Sequence, residues 1–577
     1  MNKQIIKTKD INSKGITLVA LIITIIVLLI LAIVSISLIV NNGIITKADK
    51  AVFQTEIEQY EEQLKLSIAE DTMSHLESRG KFNATEYNDI KKIIPGFSRK
   101  YENKLVVEED KLVYKGHDKE LYRKALEIGL ISEDELLDDE ILEELQPFIT
   151  EWTVESNDTI TLPIEGTCDF TVNYGDGTGD FSVTSATDED RIHNYTTAGT
   201  YTIKIKGQCQ QFDFSRVNTS KDKISKIIQW GALGNNLISF KQCVNLKGEI
   251  PSPSKNSFKN VTNFQTLFQG CNSLEGPIPE NLFYNCPNVT SFGQGYWAGC
   301  FSGCTNLKGS IPKGLFKKCT EVTSFSCLFN GCRGLTGEIP QSLFKNSTKV
   351  LDFQCLFNNC SGLTGNIPEN IFENCTKIIN VSQTFNGCSN LTGEISEKLF
   401  SNCSALQDCS GTFQGCSRLT GGIPEKLFEN CIALQYCNGT FQGCGGLTGS
   451  IPKNLFKNCT KIISFGRSYY SGCFSGCKNL KGSIPKELFE NCTEVTNFNC
   501  VFSGCTGLTG EIPQELFENN TKANDFSYAF QNCGALTGNA PALWNRNNVT
   551  ASTYCFKNCK NLSNYNQIPS SWGGEGE

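Results

Sequence analysis

Ile367-Pro368-Glu369-Asn370-Ile371-Phe372-Glu373-Asn374-Cys375-Thr376-Lys377-Ile378, continued by Phe385-Asn386-Gly387-Cys388 and Leu391-Thr392-Gly393, decides the reading of this 577-residue chain. The same order of residues returns down its whole second half. The opening dipeptide, Ile-Pro or a close variant, begins at residues 250, 278, 311, 339, 367, 395, 423, 451, 484, 512, 540 and 568, at intervals of 28 residues with two steps of 33. A fixed period of this length marks an architecture in which each unit is one coil laid on the next. Apolar residues then return at the same place in every coil and stack as internal columns. No coil covers its own apolar face, so burial comes from its neighbours. Asn and Gly at fixed places suit the bends, and Pro opens each unit where no backbone donor is needed. The positions after it, such as Glu369, Glu397, Lys453, Asn454 and Gln514, read as an exposed face.

Cysteine follows the same period. Of 29 cysteines, only Cys168 and Cys209 precede the repeats; most of the others occupy two places per coil, after Phe-x-Asn and after Phe-x-Gly, as in Cys375 and Cys388 or Cys492 and Cys505. The spacing reads as small buried hydrophobes in a column, and Ser347 and Asn520 replace one without disturbing the period. Disulfides within or between coils, or between Cys168 and Cys209, stay open as the alternative. No Cys/His cluster has zinc spacing, so neither a metal nor another cofactor is expected.

Val495-Thr496-Asn497-Phe498 with Phe502-Ser503-Gly504-Cys505, and Val322-Thr323 with Phe329-Asn330-Gly331-Cys332, resemble the repeat of BspA-like leucine-rich-repeat surface proteins. The Leu-Thr-Gly-x-Ile-Pro tail is similar to the plant-type leucine-rich repeat. The resemblance covers over half the chain and implies a cell-surface protein with an adhesive role. The 28-residue unit departs from that family's repeat length, which leaves the coil cross-section open.

Two coils carry five extra residues, within Phe292-Gly293-Gln294-Gly295-Tyr296-Trp297 and Phe465-Gly466-Arg467-Ser468-Tyr469-Tyr470. Insertions in such a stack project on one face, often the binding one. The two lie six coils apart, roughly 29 Å at about 4.8 Å per stacked strand. Tyr296, Trp297, Arg467, Tyr469 and Tyr470 are therefore the candidate binding residues. The alternative is that the rings fold back and cap local core.

Upstream the pattern changes. Thr159-Ile160-Thr161-Leu162, Phe170-Thr171-Val172-Asn173-Tyr174 and Tyr201-Thr202-Ile203-Lys204-Ile205 read as strands of a small β-sandwich. Tyr174-Gly175-Asp176-Gly177-Thr178 and His193-Asn194-Tyr195 to Ala198-Gly199-Thr200-Tyr201 resemble the PKD domain, an immunoglobulin-like module of surface proteins. Asp176 and Asp180 fit a tight turn better than a calcium site. Before the sandwich, the apolar stripe Phe53, Ile57, Tyr60, Leu64 and Ile68 predicts a helix over Ala48 to about Ser78. Leu105-Val106-Val107 and Leu112-Val113-Tyr114 predict a hairpin, and Ser132 with Glu135 opens a further helix.

The first residues set the compartment. A polar leader with Lys3, Lys7, Lys9 and Lys14 ends at Gly15 and is followed by 25 uncharged residues, Ile16 to Val40. That run is long enough to cross a hydrocarbon core as a helix, and lysines before it keep the leader inside and the bulk of the chain outside. Lys14-Gly15 followed by Ile16-Thr17-Leu18-Val19 resembles the type IV prepilin signal, which implies cleavage between Gly15 and Ile16. The family's usual Glu at the fifth mature position is Ala20 here, which speaks against filament assembly and for a tether. An uncleaved membrane anchor is the other reading.

The organisation expected is a leader at 1–15, a transmembrane helix at 16–42, a pilin-like stalk and small α/β region at 43–147, a PKD-like β-sandwich at 148–208, a solenoid cap at 209–249 and a leucine-rich-repeat β-solenoid at 250–577. The fold class is α+β multidomain. A net charge of −8 leaves no basic stripe for nucleic acid. No histidine occurs in the repeats, and acidic residues recur along a face instead of converging once, so no enzyme is expected. The expected function is a surface adhesin binding a protein or glycan on host or neighbouring cells. A structural pilin-like subunit of a filament or export system is the alternative.

Overall fold

The computed structural model describes residues 52, 54–63, 105–108, 111–114, 146–216, 220–254, 256–467 and 471–577. The chain divides into two compact units, Met1–Leu142 and Glu143–Glu577. The leader and membrane segment expected at 1–42, and the helix expected after Ser132, lie outside the described residues. In the first unit residues 54–63 are helical, within the helix expected from Ala48, and Ile57 and Tyr60 of its apolar stripe are buried. Strands β1 (Leu105–Glu108) and β2 (Lys111–Tyr114) form the expected antiparallel hairpin, with Val106 opposite Val113. Among the described residues no helix is long and apolar enough to cross a membrane.

The second unit begins with alternating strands. Strands β3 (Phe148–Val154), β5 (Ile164–Asn173), β6 (Asp180–Ser185), β8 (Gly199–Asp213) and β9 (Ile224–Gln229) form an antiparallel sheet in the order β6-β5-β8-β3-β9. Strands β4 (Asp158–Thr161) and β7 (Ile192–Tyr195) make a second, two-stranded sheet. Period-two burial on β3 turns Phe148, Thr150, Trp152 and Val154 inward. His193 of β7 stacks on Tyr174 with ring centroids 4.2 Å apart and meets the Asp176 carboxylate at 2.7 Å. The other Asp176 oxygen accepts the Thr178 hydroxyl and N–H. Asp176 is thus consumed by its own turn; these contacts hold it down to about 2 against the opposing effect of burial.

Strand β8 does not stop at the sandwich. Its last residues, Gln211–Asp213, pair in parallel with strand β10 (Leu237–Ser239). Leu237 then bridges in parallel to Asn263, and the column runs on through Ser291, Ser324, Asp352, Asn380, Asp408, Tyr436, Ser464, Asn497, Asp525 and Ala551. The sandwich strand is therefore the first rung of the coil stack and covers its open edge. At the other end residues 571–572 accept the N–H groups of Tyr554 and Phe556, and Trp572 stacks on Phe556.

The coils hold little regular strand, in contrast to the β-rich coil expected. The longest strand is β11 (Ser291–Gln294), and most rungs are single bridges. The reason is the apolar spacing. Ile371, Phe372, Cys375, Ile378, Val381, Phe385, Cys388 and Leu391 are all buried. A side chain every three or four residues requires the chain to turn inward each time, whereas a strand needs a period of two. Tight turns do this: Ile371 N–H closes on Pro368 O, Cys375 on Phe372, Ile378 on Cys375, Cys388 on Phe385 and Leu391 on Cys388. The remaining donors reach the next coil, as with Val381 to Asp408, Gln383 to Ser410 and Phe385 to Thr412.

Three side-chain systems repeat the same vertical logic. Rings stack: Phe301, Phe329, Phe357, Phe385, Phe413 and Phe441 follow one another at centroid distances of 5.6 to 6.1 Å. The Asn of Phe-x-Asn-Cys does more than make a bend. Asn346, Asn374, Asn402, Asn430 and Asn458 each donate through Nδ2 to a carbonyl of the preceding coil at 2.7 to 3.0 Å. The Cys of Phe-x-Gly-Cys likewise donates to a Phe carbonyl one coil back, as from Cys360 to Phe329, Cys388 to Phe357 and Cys416 to Phe385, at 2.9 to 3.0 Å. All 29 cysteines are buried. The Gly of that motif holds a left-handed conformation (φ +71° at Gly387), and Asn359, Asn532 and Asn558 fill the same place in their coils. On the bridge column Asp352, Asn380, Asp408, Asn497 and Asp525 each accept the N–H two residues on at 2.7 to 2.9 Å.

Two outcomes are expected. Phe413→Ala empties a place between two stacked rings and should destabilise the stack by about 3–5 kcal/mol, read as a lower urea midpoint; a shift within error would mean that the column is not a core. Asp408 tests the bridge column. Burial pushes its carboxyl up, opposed by Ser410 and by Arg467. With the folded-state value above the unfolded one, this residue opposes folding at neutral pH, and the opposition fades as pH falls through the raised value. Asp408→Asn, which keeps the acceptor, should raise the thermal midpoint at pH 7 by an amount that shrinks on acidification. Asp408→Ala should lie below Asp408→Asn by about 1 kcal/mol.

Candidate functional site

Both five-residue insertions are small hairpins on the bridge column. In the first, β11 pairs antiparallel with β12 (Ala298–Gly299), setting Gly293 against Gly299. In the second, β13 (Gly466–Arg467) pairs with β14 (Ser471–Gly472), setting Gly466 against Gly472. The glycines are required by approach. A Cβ on Gly293 would sit 1.6 Å from Ser326 O, and one on Gly466 1.8 Å from Asn499 O. Each hairpin base is thus pressed on the backbone of the following coil. Phe292 and Phe465, at the hairpin roots, are buried and belong to the ring columns.

The first hairpin is fixed at its tip. Gly295 O accepts the Ser326 hydroxyl at 2.7 Å and the Cys327 thiol at 3.1 Å, and Trp297 O accepts Gln269 Nε2 at 2.8 Å. With its backbone held from both sides, Trp297 presents its side chain outward, 76% exposed. Tyr296, 48% exposed, turns along the stack, bringing its hydroxyl within hydrogen-bonding reach of Gln354, two coils on. Burial raises that hydroxyl's pKa, and the Asp408 carboxylate adds to the effect. Arg467, from the second hairpin, lowers both Tyr296 and Asp408. Tyr296 and Arg467, from insertions six coils apart, thus influence one another electrostatically, and both act on Asp408 or are acted on by it.

Of the five candidate binding residues, Tyr296, Trp297 and Arg467 fall on this one face. Tyr469 and Tyr470 lie outside the described residues. Sequence reasoning misses the floor between the hairpins: Asp352, Gln354, Asn380, Asp408 and Tyr436, the last 38% exposed. Their signal is present in the period, because each occupies the bridge column or a place two residues after it. Gly15 and Ile16, the candidate processing pair, also lie outside the described residues.

A groove of about 1320 Å³ runs along the Ile-Pro side, lined by Pro277, Pro312, Pro340 and Pro368 with Glu280, Lys313 and Glu338 among its polar residues. Its charges come one or two per coil and do not converge. Ion pairs between coils, such as Lys398 with Glu369 at 3.5 Å, lie on the outer surface and contribute little. Among the described residues no group of three or more His, Cys, Asp or Glu is placed to hold a metal ion. Burial pushes the Cys271 and Cys416 thiols up to about 12, which keeps them protonated and poorly nucleophilic.

Comparison with known proteins gives one family and several solved structures of low similarity. The family model described as Mycoplasma protein of unknown function, DUF285, matches residues 235–369, 297–426 and 468–572, together just over half the chain. No curated protein matches. Among solved structures, the chain is similar to the Arabidopsis receptor kinase HAESA in complex with the peptide hormone IDA and the co-receptor SERK1, at 18% identity and a TM-score of 0.30 over 53% of this chain and 50% of that one. The HAESA ectodomain with an N-terminally extended IDA peptide matches at 22% identity and a TM-score of 0.30, covering 53% of this chain and 47% of that one. TLR13 in complex with ssRNA13 matches at 11% identity and a TM-score of 0.10, over 53% of this chain and 66% of that one. The chain spans about half the length of the HAESA chains it matches. The family match falls on the coils themselves, and the chain belongs to the family described as Mycoplasma protein of unknown function, DUF285.

Proposed function

We propose that this chain is a non-catalytic, cell-surface binding protein of the adhesin kind, whose hairpin face takes up a protein or glycan on a host or neighbouring cell. One observation carries the reading: two insertions, in otherwise regular coils, both emerge on the bridge column, and one holds Trp297 rigidly outward beside Tyr296. A large ring on a fixed backbone loses little freedom on binding and offers broad apolar contact with a polar edge. Between the hairpins lies a floor of amides, carboxylates and Tyr436 able to hydrogen-bond a partner. The leader at 1–15 and the apolar run at 16–42 complete the proposal as a membrane tether, cut between Gly15 and Ile16, with the coils displayed outside.

Replacing Tyr296, Trp297, Tyr469 and Tyr470 together with Ser should weaken binding to host cells or extracellular matrix at least tenfold, about 1.4 kcal/mol, with the thermal midpoint kept. Undiminished binding by the folded variant would reject this face. The tether has its own test: the membrane fraction of producing cells should yield a chain whose first residue is Ile16, and whose coils are cut by protease added to intact cells. Coils protected until lysis would remove the surface placement.

A further inference from the structure

Cys168 and Cys209 stand apart from the coil cysteines by their place in the sandwich, although one pair in the stack, Cys409 and Cys437, also brings its sulfurs close, to 3.6 Å. Cys168 and Cys209 lie on adjacent antiparallel strands, β5 and β8, directly opposite each other in register. Their sulfur atoms are 3.4 Å apart, and both thiols are free. Cys209 N–H is taken by Leu233 O at 2.7 Å and its carbonyl by Asn235 Nδ2 at 2.7 Å, so neither group bonds to Cys168. That makes the two a non-hydrogen-bonded pair, the arrangement in which opposed Cα atoms come closest, about 4.5 Å. This is within the span a disulfide bridges. Cys209 Sγ also reaches Gln211 O at 3.0 Å, whereas the Phe-x-Gly-Cys thiols donate to a carbonyl one coil back, as Cys360 does to Phe329.

We propose that Cys168 and Cys209 are a site of oxidative cross-linking, closed by exchange with a disulfide-carrying oxidant and serving as a staple where the sandwich passes into the coil stack. Cys168 retains slight exposure, 6% against 1% for Cys209, and is the sulfur an oxidant meets first. Its thiolate attacks one sulfur of the oxidant's disulfide, forming a mixed disulfide and releasing one thiolate. The Cys209 sulfur then attacks Cys168 and releases the second. One S–S bond forms in this chain and one breaks in the oxidant; two electrons and the two cysteine protons pass to the oxidant, which leaves as a dithiol. The hydrogen bond from Cys209 holds the Cys168 thiol below its ordinary value despite burial, which favours that order. The position gives the bond its purpose. Two residues beyond Cys209, at Gln211, β8 begins to pair with the first rung of the stack. A link there fixes the strand on which all later coils build.

The test compares full-length chain produced in an oxidising and in a reducing compartment, alkylated, digested without reductant and analysed by mass spectrometry. The oxidised protein should yield one cross-linked peptide joining Cys168 to Cys209, lighter than its two parts by two hydrogen atoms. Cys360, Cys388 and Cys416 should be recovered as free thiols from both sources, and the linked form should unfold at a higher temperature. Cys168→Ser and Cys209→Ser should each abolish the cross-linked peptide. Should either variant fail to fold, the wild-type comparison decides alone. Free Cys168 and Cys209 in oxidised protein that still unfolds in one cooperative thermal transition, or pairing of either with a different cysteine, would overturn the proposal.

Discussion

A coil of this protein cannot satisfy its own backbone. Among the described residues of the stack there is no α-helix and almost no strand longer than a bridge. Its donors and acceptors must therefore be met by tight turns or by the coils on either side, since buried and unpaired they would each cost on the order of 1–3 kcal/mol. That constraint explains residue choices which hydrophobicity alone does not. Asn402 is present because an amide can span to Glu373 O. Cys388 is present because a thiol is small and apolar enough to bury cheaply yet can donate to Phe357 O. A register in which coils slipped by one residue would break the ring columns, the amide column and the thiol column together.

The same constraint makes the ends of the stack a problem, because a terminal coil has one neighbour missing. At the first end the solution is a strand shared with a differently built body: β8 pairs antiparallel with β3 and β5 along most of its length, then in parallel with β10. At the other end the chain folds back, and residues 571–572 take the last coil's donors. A polar or differently folded terminus is what a repeat array requires to avoid adding further coils from another molecule.

Much of this architecture is legible in the amino-acid order. The 28-residue period locates the coils, and Phe385, Cys388 and Leu391 are recognisable as core because they recur at one place. Ser347 and Asn520 mark cysteine positions where the side chain can change, and both are fully buried. What polar side chains reach is not legible. Asn402 looks like a bend residue on its own coil, and its partner 29 residues away is defined only once the coils are laid in register. The electrostatic coupling of Tyr296 and Arg467 with Asp408 is hidden for the same reason. A separation of six coils, correct for the backbones, says nothing of the electrostatic reach of long side chains. Equating repeat coils with strands overstates the strand content, although the three-to-four spacing of their apolar residues already requires turns.

Departures from the repeat are where the remaining information lies, and two independent departures coincide. On the outside, the hairpins leave the coils just after the bridge-column residues Ser291 and Ser464. On the inside, the ring column that holds Phe292, Phe325 and Phe353, and resumes at Phe465, Phe498 and Phe526, is broken by Val381, Cys409 and Cys437. In those same coils Thr384, Thr412 and Thr440 are buried and return their hydroxyls to the carbonyls of residues 381, 409 and 437 at 2.7 to 2.9 Å. Each small residue directly follows a floor residue of the candidate site, Asn380, Asp408 or Tyr436. The rings that remain adjust around the change: Phe372–Phe385, Phe400–Phe413 and Phe428–Phe441 lie 6.4 to 6.5 Å apart and carry the packing there. The interruption of the phenylalanine column falls in the same coils that lie between the two hairpins, so the interior and the exterior of the stack depart from the repeat at the same level.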